Sequence, residues 1–289
     1  MNKEFLDLAE QLKSSVSCTV RLNELMSGHT SFKIGGPADI LVLPESIEQL
    51  REVLKVVKET VVPLTLLGNG SNVLVRDKGI RGIVIKLGNM LRHFYEAEDL
   101  LVFGSGYSLA LASYKAMECG KTGMEFAVGI PGSIGGAVYM NAGAYDGEMQ
   151  NIVNCVKVMD LQGNERVLTA EELNFGYRKT SLQNSGLIVT EVTLKMPSGN
   201  KDEIKSKMDD FSHRRISKQP LEMPSAGSMF KRPPGYFAGT LIDQAGLKGY
   251  TVGGAQISTK HAGFVVNVGG ATATDVLQLI KDVQTKIKA

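Results

Sequence analysis

An uncharged, glycine-rich stretch, residues 129–145, most constrains how this chain can fold. Residues 126–145 contain no Asp, Glu, Lys or Arg, which would suit a membrane span. Five glycines and a proline would nevertheless break a helix there repeatedly: Gly129, Pro131, Gly132, Gly135, Gly136 and Gly143. We therefore predict irregular backbone whose amide N–H groups are open to a flat or anionic group. A tightly packed core turn is the alternative.

Length and charge bound the class of protein. A chain of 289 residues is too long to fold around one small core, so two or three domains are expected. The net charge of +2 gives no broad basic field for nucleic acid. Residues 1–15 carry Glu4, Asp7 and Glu10 where a signal peptide would have an apolar core, so we predict a cytoplasmic protein without a membrane anchor.

Cysteine and histidine usage argues against covalent or metal cross-links. The sequence has three widely spaced cysteines, Cys18, Cys119 and Cys155. Such spacing favours reduced thiols over a disulfide framework or a zinc site. The four histidines show no metal-ligand spacing, so we predict no metal.

The N-terminal third predicts a strand–helix–strand unit. Residues 40–43 form an apolar strand, and Ser46 with Gln49 makes a capping-box signature. Apolar residues then repeat at helical spacing over residues 50–57, and residues 63–67 read as a second strand.

Later segments become richer in strands. We predict strands at residues 83–87, 100–103, 153–159, 166–168 and 187–196, and a helix at residues 108–119. The strands at 153–159 and 166–168 should form a hairpin. Thr169 with Glu172 predicts a cap for a short helix. This pattern favours two α+β lobes.

A boundary is predicted at residues 197–199, Pro-Ser-Gly, before a smaller third lobe. The elements predicted there are a helix through Ile204, Met208 and Phe211, an irregular loop at 224–234, a short helix at 237–245, a strand at 264–268 and a last helix capped by Thr274.

The second strand runs directly into a glycine loop, residues 68–72. Its members are Gly68, Asn69, Gly70, Ser71 and Asn72. Successive amides in such a loop can converge on diphosphate oxygens. It is not a P-loop, because no Gly-Lys-Ser/Thr follows, and residues 73–75 predict another strand where a dinucleotide fingerprint needs a helix. A plain hairpin turn is the alternative.

Two residues outside the glycine segments carry chemistry. Arg178 has a guanidinium that can hold a carboxylate with two hydrogen bonds, although the residues alone favour a surface arginine in a basic loop. Ser228 lacks the surroundings of a hydrolase nucleophile, but it could donate a proton beside a developing carbanion. A hydroxyl that orders a loop is its alternative role.

Taken together, these segments resemble a known family. They are residues 29–39, 68–72, 129–145, 175–180, and 224–233 with 253–255. Their order and spacing resemble the UDP-N-acetylenolpyruvoylglucosamine reductase (MurB) family, from about residue 23 to the C-terminus. The short interval between Arg178 and Ser228 is similar to that of the family's compact second subtype.

The resemblance implies an α+β fold: a two-lobed FAD-binding domain of the vanillyl-alcohol oxidase/PCMH type plus a C-terminal α+β substrate-binding domain. We accordingly expect lobe 1 at residues 1–90, lobe 2 at residues 91–198 and the substrate domain at residues 199–289. FAD would be bound non-covalently. Its implied contacts are the loop 68–72 together with Gly132, Ser133, Gly135, Gly136, Asn141, Ala142, Gly143 and Ile188.

The resemblance also implies a reaction. NADPH would reduce the flavin, which would pass hydride to C3 of the enolpyruvyl group of UDP-N-acetylglucosamine enolpyruvate. The product, UDP-N-acetylmuramate, is a peptidoglycan precursor, so the protein would serve cell-wall biogenesis, cell shape, the cell cycle and cell division. A monomer is expected, with no nucleic-acid or membrane partner.

Roles for individual residues follow from the same resemblance. Arg178 would neutralise the enolate, and Ser228 would protonate C2 with its alkoxide supported by Lys231. Tyr145 and Tyr177 match positions near the substrate.

One departure concerns a glutamate that the family carries beyond its last helix. The sequence here ends at Ala289, and only Asp275 and Asp282 supply carboxylates after Gly254. We expect a shortened C-terminal domain that lacks this group. Two alternatives to a working reductase follow: an FAD- and nucleotide-sugar-binding paralogue with weak or no turnover, and an oxidase of the same flavoprotein superfamily.

Overall fold

A computed structural model describes residues 3–88 and 90–288 of the chain. Contacts divide the protein into two compact units, each built from separate segments. Unit 1 comprises Met1–Leu22, Ile40–Asn69 and Gly82–His213. Unit 2 comprises Asn23–Asp39, Gly70–Arg81 and Arg214–Ala289.

Seven α-helices and fifteen strands occur in the described residues. The helices are α1 (Lys3–Ser15), α2 (Ile47–Lys58), α3 (Leu109–Glu118), α4 (Ile134–Tyr139), α5 (Lys201–Lys218), α6 (Ala238–Gln244) and α7 (Ala273–Lys288). The strands are β1 (Thr19–Leu25), β2 (Pro37–Leu43), β3 (Leu64–Leu67), β4 (Ile80–Lys86), β5 (Phe94–Ala97), β6 (Leu100–Gly104), β7 (Gly143–Ala144), β8 (Gly147–Glu148), β9 (Val153–Met159), β10 (Glu165–Thr169), β11 (Ile188–Lys195), β12 (Ser225–Ser228), β13 (Thr251–Val252), β14 (Ala255–Ile257) and β15 (Phe264–Asn267).

The predicted strand–helix–strand unit is confirmed as β2, α2 and β3. These strands belong to a four-stranded sheet in the order β1-β2-β4-β3, in which β3 pairs with β4 in parallel. Ser46 caps α2 by accepting a hydrogen bond from the Gln49 amide at 3.2 Å. The Gln49 side chain accepts from the Glu45 amide, one residue earlier than a capping box requires.

An antiparallel five-stranded sheet forms the other part of unit 1, in the order β10-β9-β11-β6-β5. The predicted β9–β10 hairpin is confirmed, since Val158 pairs with Arg166. Phe103, Val156 and Val192 are fully buried between this sheet and its covering segments, so the sheet provides a rigid base for the glycine-rich segments packed on it.

Unit 2 contains a smaller antiparallel sheet, β12-β15-β14-β13. α7 covers it with the predicted apolar face, where Val276, Leu279 and Val283 are buried and Ile280 and Ile287 pack at the margin. Asp282 on the same helix accepts a hydrogen bond from the Tyr250 hydroxyl at 2.9 Å.

The predicted cap of α7 is wrong by two residues. Thr272 and Asp275 bond reciprocally to each other's amides, at 3.0 and 2.9 Å. Asp77, distant in sequence, accepts from the amides of Ala273 and Thr274 and from the Thr274 hydroxyl. Thr274 is therefore a donor to a capping carboxylate inside the first turn.

The glycine stretch holds a helix where the sequence predicted irregular backbone. α4 spans Ile134–Tyr139, with Ser133 accepting from the Gly136 amide at 3.3 Å. At Gly135 an added Cβ would lie 2.7 Å from the Ser105 Cβ. The helix therefore packs so closely on Ser105 that a residue larger than glycine would not fit without a shift. Among residues 3–88 and 90–288, no helix is both long and apolar enough to cross a bilayer.

Three smaller predictions are also wrong. Residues 73–75 form no strand. Just after them, the Arg76 carbonyl accepts a hydrogen bond from the Gly36 amide at 3.0 Å. Thr169 and Glu172 make the reciprocal capping bonds, but the chain forms turns instead of a helix and reaches φ +43° at Asn174. The predicted irregular loop at 224–234 begins with strand β12, which pairs with β15.

Candidate functional site

Two glycine segments that are far apart in sequence meet in unit 1. At the end of β3, an added Cβ on Gly68 would lie 3.0 Å from the Ser133 hydroxyl. Ser133 is buried at the start of α4, and the Gly135 amide donates to the Ser105 carbonyl at 2.9 Å. The glycine loop and the glycine stretch are therefore brought together, as a shared binding site requires.

The rest of the glycine loop belongs to unit 2. Gly70 is buried with φ +69°, and an added Cβ would overlap the His29 carbonyl oxygen. Its own carbonyl accepts from the Ser31 amide at 3.0 Å. Only glycine combines this left-handed backbone with this packing. Ser71 is half-buried and Asn72 is exposed.

Arg178 occupies a two-residue turn, which we call the Arg178 turn, residues 176–179. The amides of Gly176 and Lys179 each donate to the other's carbonyl, at 2.9 and 3.1 Å. The φ of Arg178 is +56°, a strained value for a residue with a side chain. Its guanidinium donates to the carbonyls of Asn141 at 3.1 Å and Gly143 at 2.7 Å. The cation is thus fixed by backbone against the end of the glycine stretch.

Asn141 holds the Arg178 turn through hydrogen bonds of its side chain. The side chain is fully buried, and its amide nitrogen lies 3.1 Å from both the Gly176 carbonyl and a Glu148 carboxylate oxygen. Its side-chain oxygen accepts from the Gln150 amide at 3.0 Å. The backbone of Asn141 is also bonded within the protein, because its amide donates to the Val138 carbonyl and its carbonyl accepts from Arg178. Its predicted cofactor role therefore stays a prediction.

Tyr145 and Tyr177, the predicted substrate contacts, lie at two turns of unit 1. Tyr145 is at the tip of the β7–β8 hairpin, where it and Asp146 have φ of +51° and +62°. Its ring stacks on Phe211 of α5, with centroids 4.5 Å apart and planes 12° apart. Tyr177 is exposed, and the Arg178 guanidinium carbon lies 5.1 Å from its ring centroid.

The remaining predicted cofactor contacts differ in accessibility. Gly132 and Gly143 are half-buried and Gly136 is exposed, so each can present backbone. Ala142 is half-buried, packed against the core. Ile188 is 1% exposed and its side chain lies in the core cluster with Met159, so only its backbone could reach a ligand.

Ser228 ends strand β12 in unit 2 and is exposed. Its hydroxyl donates to the Gly263 carbonyl at 3.4 Å, a long hydrogen bond. Gly263 also donates its amide to Nδ1 of His261 at 3.0 Å. Burial lowers the pKa of His261, which favours the neutral ring that accepts this bond. Lys231 is exposed.

This geometry is compatible with a flavin dinucleotide. Gly68 and Gly135 let the glycine loop, Ser105 and α4 pack closely together, and Ser133 and Asn69 add neutral polar atoms beside them. Neutral polar groups beside glycine backbone suit a diphosphate and a flat ring system. Residues that would hold FAD in unit 1 are thus the ends of the two glycine segments.

Sequence reasoning did not identify Thr180 and Gln183, which also hold the Arg178 turn. The Thr180 hydroxyl donates to the Tyr139 carbonyl at 2.9 Å. The Gln183 side chain donates to the carbonyls of Tyr139 and Arg178, both at 3.2 Å. Their position within five residues of Arg178 was the only available signal, and it does not say where their side chains point.

Comparisons with known proteins identify the families that the chain matches. A family model described as UDP-N-acetylenolpyruvoylglucosamine reductase, C-terminal domain, matches residues 219–289, and an FAD binding domain model matches residues 38–169. The fold of a berberine bridge enzyme variant is similar, with a TM-score of 0.50 at 15% identity, covering 68% of this chain and 44% of that one. The predicted fold class is confirmed.

Relatives and a solved structure cover nearly the whole chain. A UDP-N-acetylenolpyruvoylglucosamine reductase from Clostridium perfringens strain SM101 is 50% identical over 285 residues, 99% of this chain and 93% of the relative. The crystal structure of the reductase named MurB from Thermus caldophilus has a TM-score of 0.81 and 40% identity, covering 93% of this chain and 95% of that one. Identity at this level over this length means that the chain belongs to the UDP-N-acetylenolpyruvoylglucosamine reductase family.

Proposed function

We propose that this protein reduces UDP-N-acetylglucosamine enolpyruvate to UDP-N-acetylmuramate with NADPH, using bound FAD. The observation that carries this proposal is the Arg178 guanidinium, which two backbone carbonyls hold in place. The chain that contains it is 50% identical to a protein named as this reductase. The overall change adds a hydride from NADPH at C3 and a proton at C2 of the enolpyruvyl group. Family membership favours this oxidoreductase over a binding paralogue without turnover and over an oxidase.

The site would hold FAD non-covalently through backbone of the two glycine segments. In unit 1 these contacts would come from Gly68, Asn69, Ser133 and the end of the glycine stretch. The contacts predicted for Gly70, Ser71 and Asn72 are a separate proposal, tested below. Bound FAD, reduced by NADPH, supplies the hydride.

Arg178 would hold the substrate carboxylate and neutralise the charge that develops on it. Hydride addition at C3 leaves an electron pair on C2 that delocalises into the carboxylate. Two backbone carbonyls already fix the guanidinium, so it does not reorganise as that charge appears. Preorganised charge of this kind is often worth about 10²–10³ in rate.

Ser228 would donate the proton to C2. A neutral serine is a weak acid, so its hydroxyl must be aligned and the alkoxide must be stabilised. The Gly263 carbonyl holds the hydroxyl only through a 3.4 Å bond, which leaves it free to turn towards a substrate. Lys231, three residues later and exposed, is the proposed stabilising cation.

Other features extend this proposal. The activity would place the protein in peptidoglycan synthesis, and so in cell-wall biogenesis, cell shape, the cell cycle and cell division. We further propose a cytoplasmic monomer with lobes at residues 1–90 and 91–198 and a substrate domain at residues 199–289.

The deciding experiment follows the flavin absorbance of the purified protein without oxygen. NADPH alone should bleach the flavin. UDP-N-acetylglucosamine enolpyruvate, added next, should restore the flavin colour in a single turnover of the reduced enzyme. Bleaching without recovery would favour the paralogue that binds but does not turn over. Reduction by an alcohol and not by NADPH would favour an oxidase, and a protein that cannot take up FAD would contradict the entire proposal.

Replacement of Gly70 by Val tests the glycine loop. A Cβ there would overlap the His29 carbonyl, so the loop must move and FAD should be lost during purification. Gly68→Ala is a gentler variant, because its Cβ would meet only the Ser133 hydroxyl at 3.0 Å. Circular dichroism would establish that both variants fold. Unchanged FAD content in both would argue against a diphosphate site in this loop.

A further inference from the structure

We infer that Gln183 is a positioning residue for Arg178, which it controls through the backbone of the Arg178 turn. This inference rests on the proposed function, because the role of Gln183 is exerted on the substrate only through Arg178. Gln183 lies five residues after Arg178 and is half-buried. It was absent from every set of residues that the sequence predicted to bind substrate or cofactor.

One amide group of Gln183 joins two elements of unit 1. Its Nε2 donates to the Arg178 carbonyl at 3.2 Å and to the Tyr139 carbonyl, at the end of α4, also at 3.2 Å. The same nitrogen lies 3.6 Å from the sulfur of Met140. Because an amide nitrogen has two hydrogens, both can serve these carbonyls. The side chain therefore ties the Arg178 turn to the helix inside the glycine stretch.

The turn needs such a restraint because of its backbone. Arg178 has φ +56°, a region that residues with a Cβ adopt only when their surroundings hold them there. Asn141 holds one side of the turn through the Gly176 carbonyl at 3.1 Å, and Gln183 holds the other through the Arg178 carbonyl. Releasing that side would let Arg178 return to an ordinary φ.

A change of φ at Arg178 would redirect its side chain. In the observed backbone conformation the guanidinium reaches the Asn141 and Gly143 carbonyls. Small displacements of a charged group relative to a reacting centre can cost about a hundredfold in rate. Loss of Gln183 should therefore slow the step in which substrate accepts hydride, and not the reduction of the flavin by NADPH.

The test uses two substitutions in the full-length holoenzyme. Gln183→Glu keeps the shape but replaces the donor with an acceptor that faces two carbonyls, and Gln183→Leu removes both hydrogen bonds. Gln278→Leu is the matched control, since Gln278 is exposed on α7 and its side-chain amide donates to Asp282 at 2.7 Å. We expect both Gln183 variants to slow flavin reoxidation by substrate about tenfold or more, with reduction by NADPH and the control unchanged.

A double-substitution cycle separates positioning from general structural support. If Gln183 acts through Arg178, then Gln183→Leu should cause no further slowing of reoxidation in a protein that already carries Arg178→Ala. Calorimetric titration of the oxidised protein with UDP-N-acetylglucosamine enolpyruvate should show the same non-additive loss of affinity. Equal slowing in both backgrounds, or equal slowing of both half-reactions, would overturn the inference.

The cycle also separates this inference from the function on which it rests. If Arg178→Ala leaves reoxidation at the original rate, the proposed role of Arg178 is wrong and the role of Gln183 is wrong with it. If Arg178→Ala slows reoxidation but neither Gln183 variant does, only the positioning role is overturned.

Discussion

The Arg178 turn and the segment around Ser228 hold their functional groups in opposite ways. Two backbone carbonyls bind the guanidinium, and Asn141 and Gln183 bond to the turn that carries it. Ser228 is exposed, and its hydroxyl makes a single 3.4 Å bond to the Gly263 carbonyl. The guanidinium of Arg178 is thus held in place by the protein, whereas the Ser228 hydroxyl is held only loosely.

This difference suits the two proposed roles. A cation that neutralises developing charge is most effective when it need not reorganise during the reaction. A hydroxyl that gives up its proton must instead rotate towards the accepting carbon, and a short bond to the protein would oppose that rotation. The comparison predicts that the two residues respond differently to conservative substitution.

The largest effect is expected for Ser228→Ala. Loss of the proton donor should slow flavin reoxidation by substrate about 10²–10⁴-fold, while NADPH still bleaches the flavin at the original rate. Stopped-flow absorbance of the two half-reactions measures this directly. Because Ser228 makes one long bond, stability should change by less than about 0.5 kcal/mol. A slow first half-reaction would remove Ser228 from the proton-donor role.

A smaller loss of rate, about a hundredfold, is expected for Arg178→Lys. Lysine keeps the charge but cannot span the Asn141 and Gly143 carbonyls while also presenting a fork to a carboxylate. Reoxidation by substrate should slow and substrate affinity should fall, as single-turnover kinetics at several substrate concentrations would measure. Full activity in the lysine variant would show that fixed geometry at Arg178 does not matter, which contradicts the comparison.

Asn141→Ala should act mainly on stability, lowering the free energy of unfolding by about 2 kcal/mol. The substitution leaves the Gly176 carbonyl and the Gln150 amide without their buried partner. Urea unfolding measures the loss, and Asn154→Ala is the matched control because Asn154 is exposed and its amide donates to the Cys155 sulfur at 3.7 Å. Equal effects in the two variants would mean that Asn141 does not support the turn.

The smallest effect concerns the start of α7 within unit 2, the unit that also contains Ser228. Asp77→Ala removes the carboxylate that binds the first turn of α7 and should cost about 1 kcal/mol at neutral pH. The hydrogen bond from the Thr274 hydroxyl is the largest cause of the lowered pKa of Asp77; burial, the next largest, raises this pKa, and the Ala273 and Thr274 amides lower it further.

The sign of the pH dependence follows from that lowered pKa. A carboxyl whose pKa is lower in the folded protein stabilises it above the unfolded pKa of about 3.9, and the stabilisation is lost as pH falls through the folded value. The difference between the original protein and Asp77→Ala should therefore shrink in acid, as thermal unfolding at several pH values would reveal. Exposed Asp99→Ala provides the control, and a difference that does not change with pH would contradict this assignment.

Much of the fold could be predicted because its signals are local. The cap at Ser46, the β9–β10 hairpin and the apolar face of α7 each depend on residues close in sequence. The glycine segments could also be recognised, because few arrangements tolerate so many residues without side chains. Their roles towards FAD and substrate remain proposals, as do those of Arg178 and Ser228.

By itself, then, the sequence determined the element types, the glycine segments and the family resemblance that joined them. Only the tertiary structure decided that a helix forms inside the glycine stretch, because Gly135 packs against Ser105 from another segment. It also decided that Asp77 caps a helix nearly two hundred residues later and that Asn141 and Gln183 hold the Arg178 turn. Such contacts depend on where distant backbone groups meet, and no periodicity or local propensity encodes that meeting.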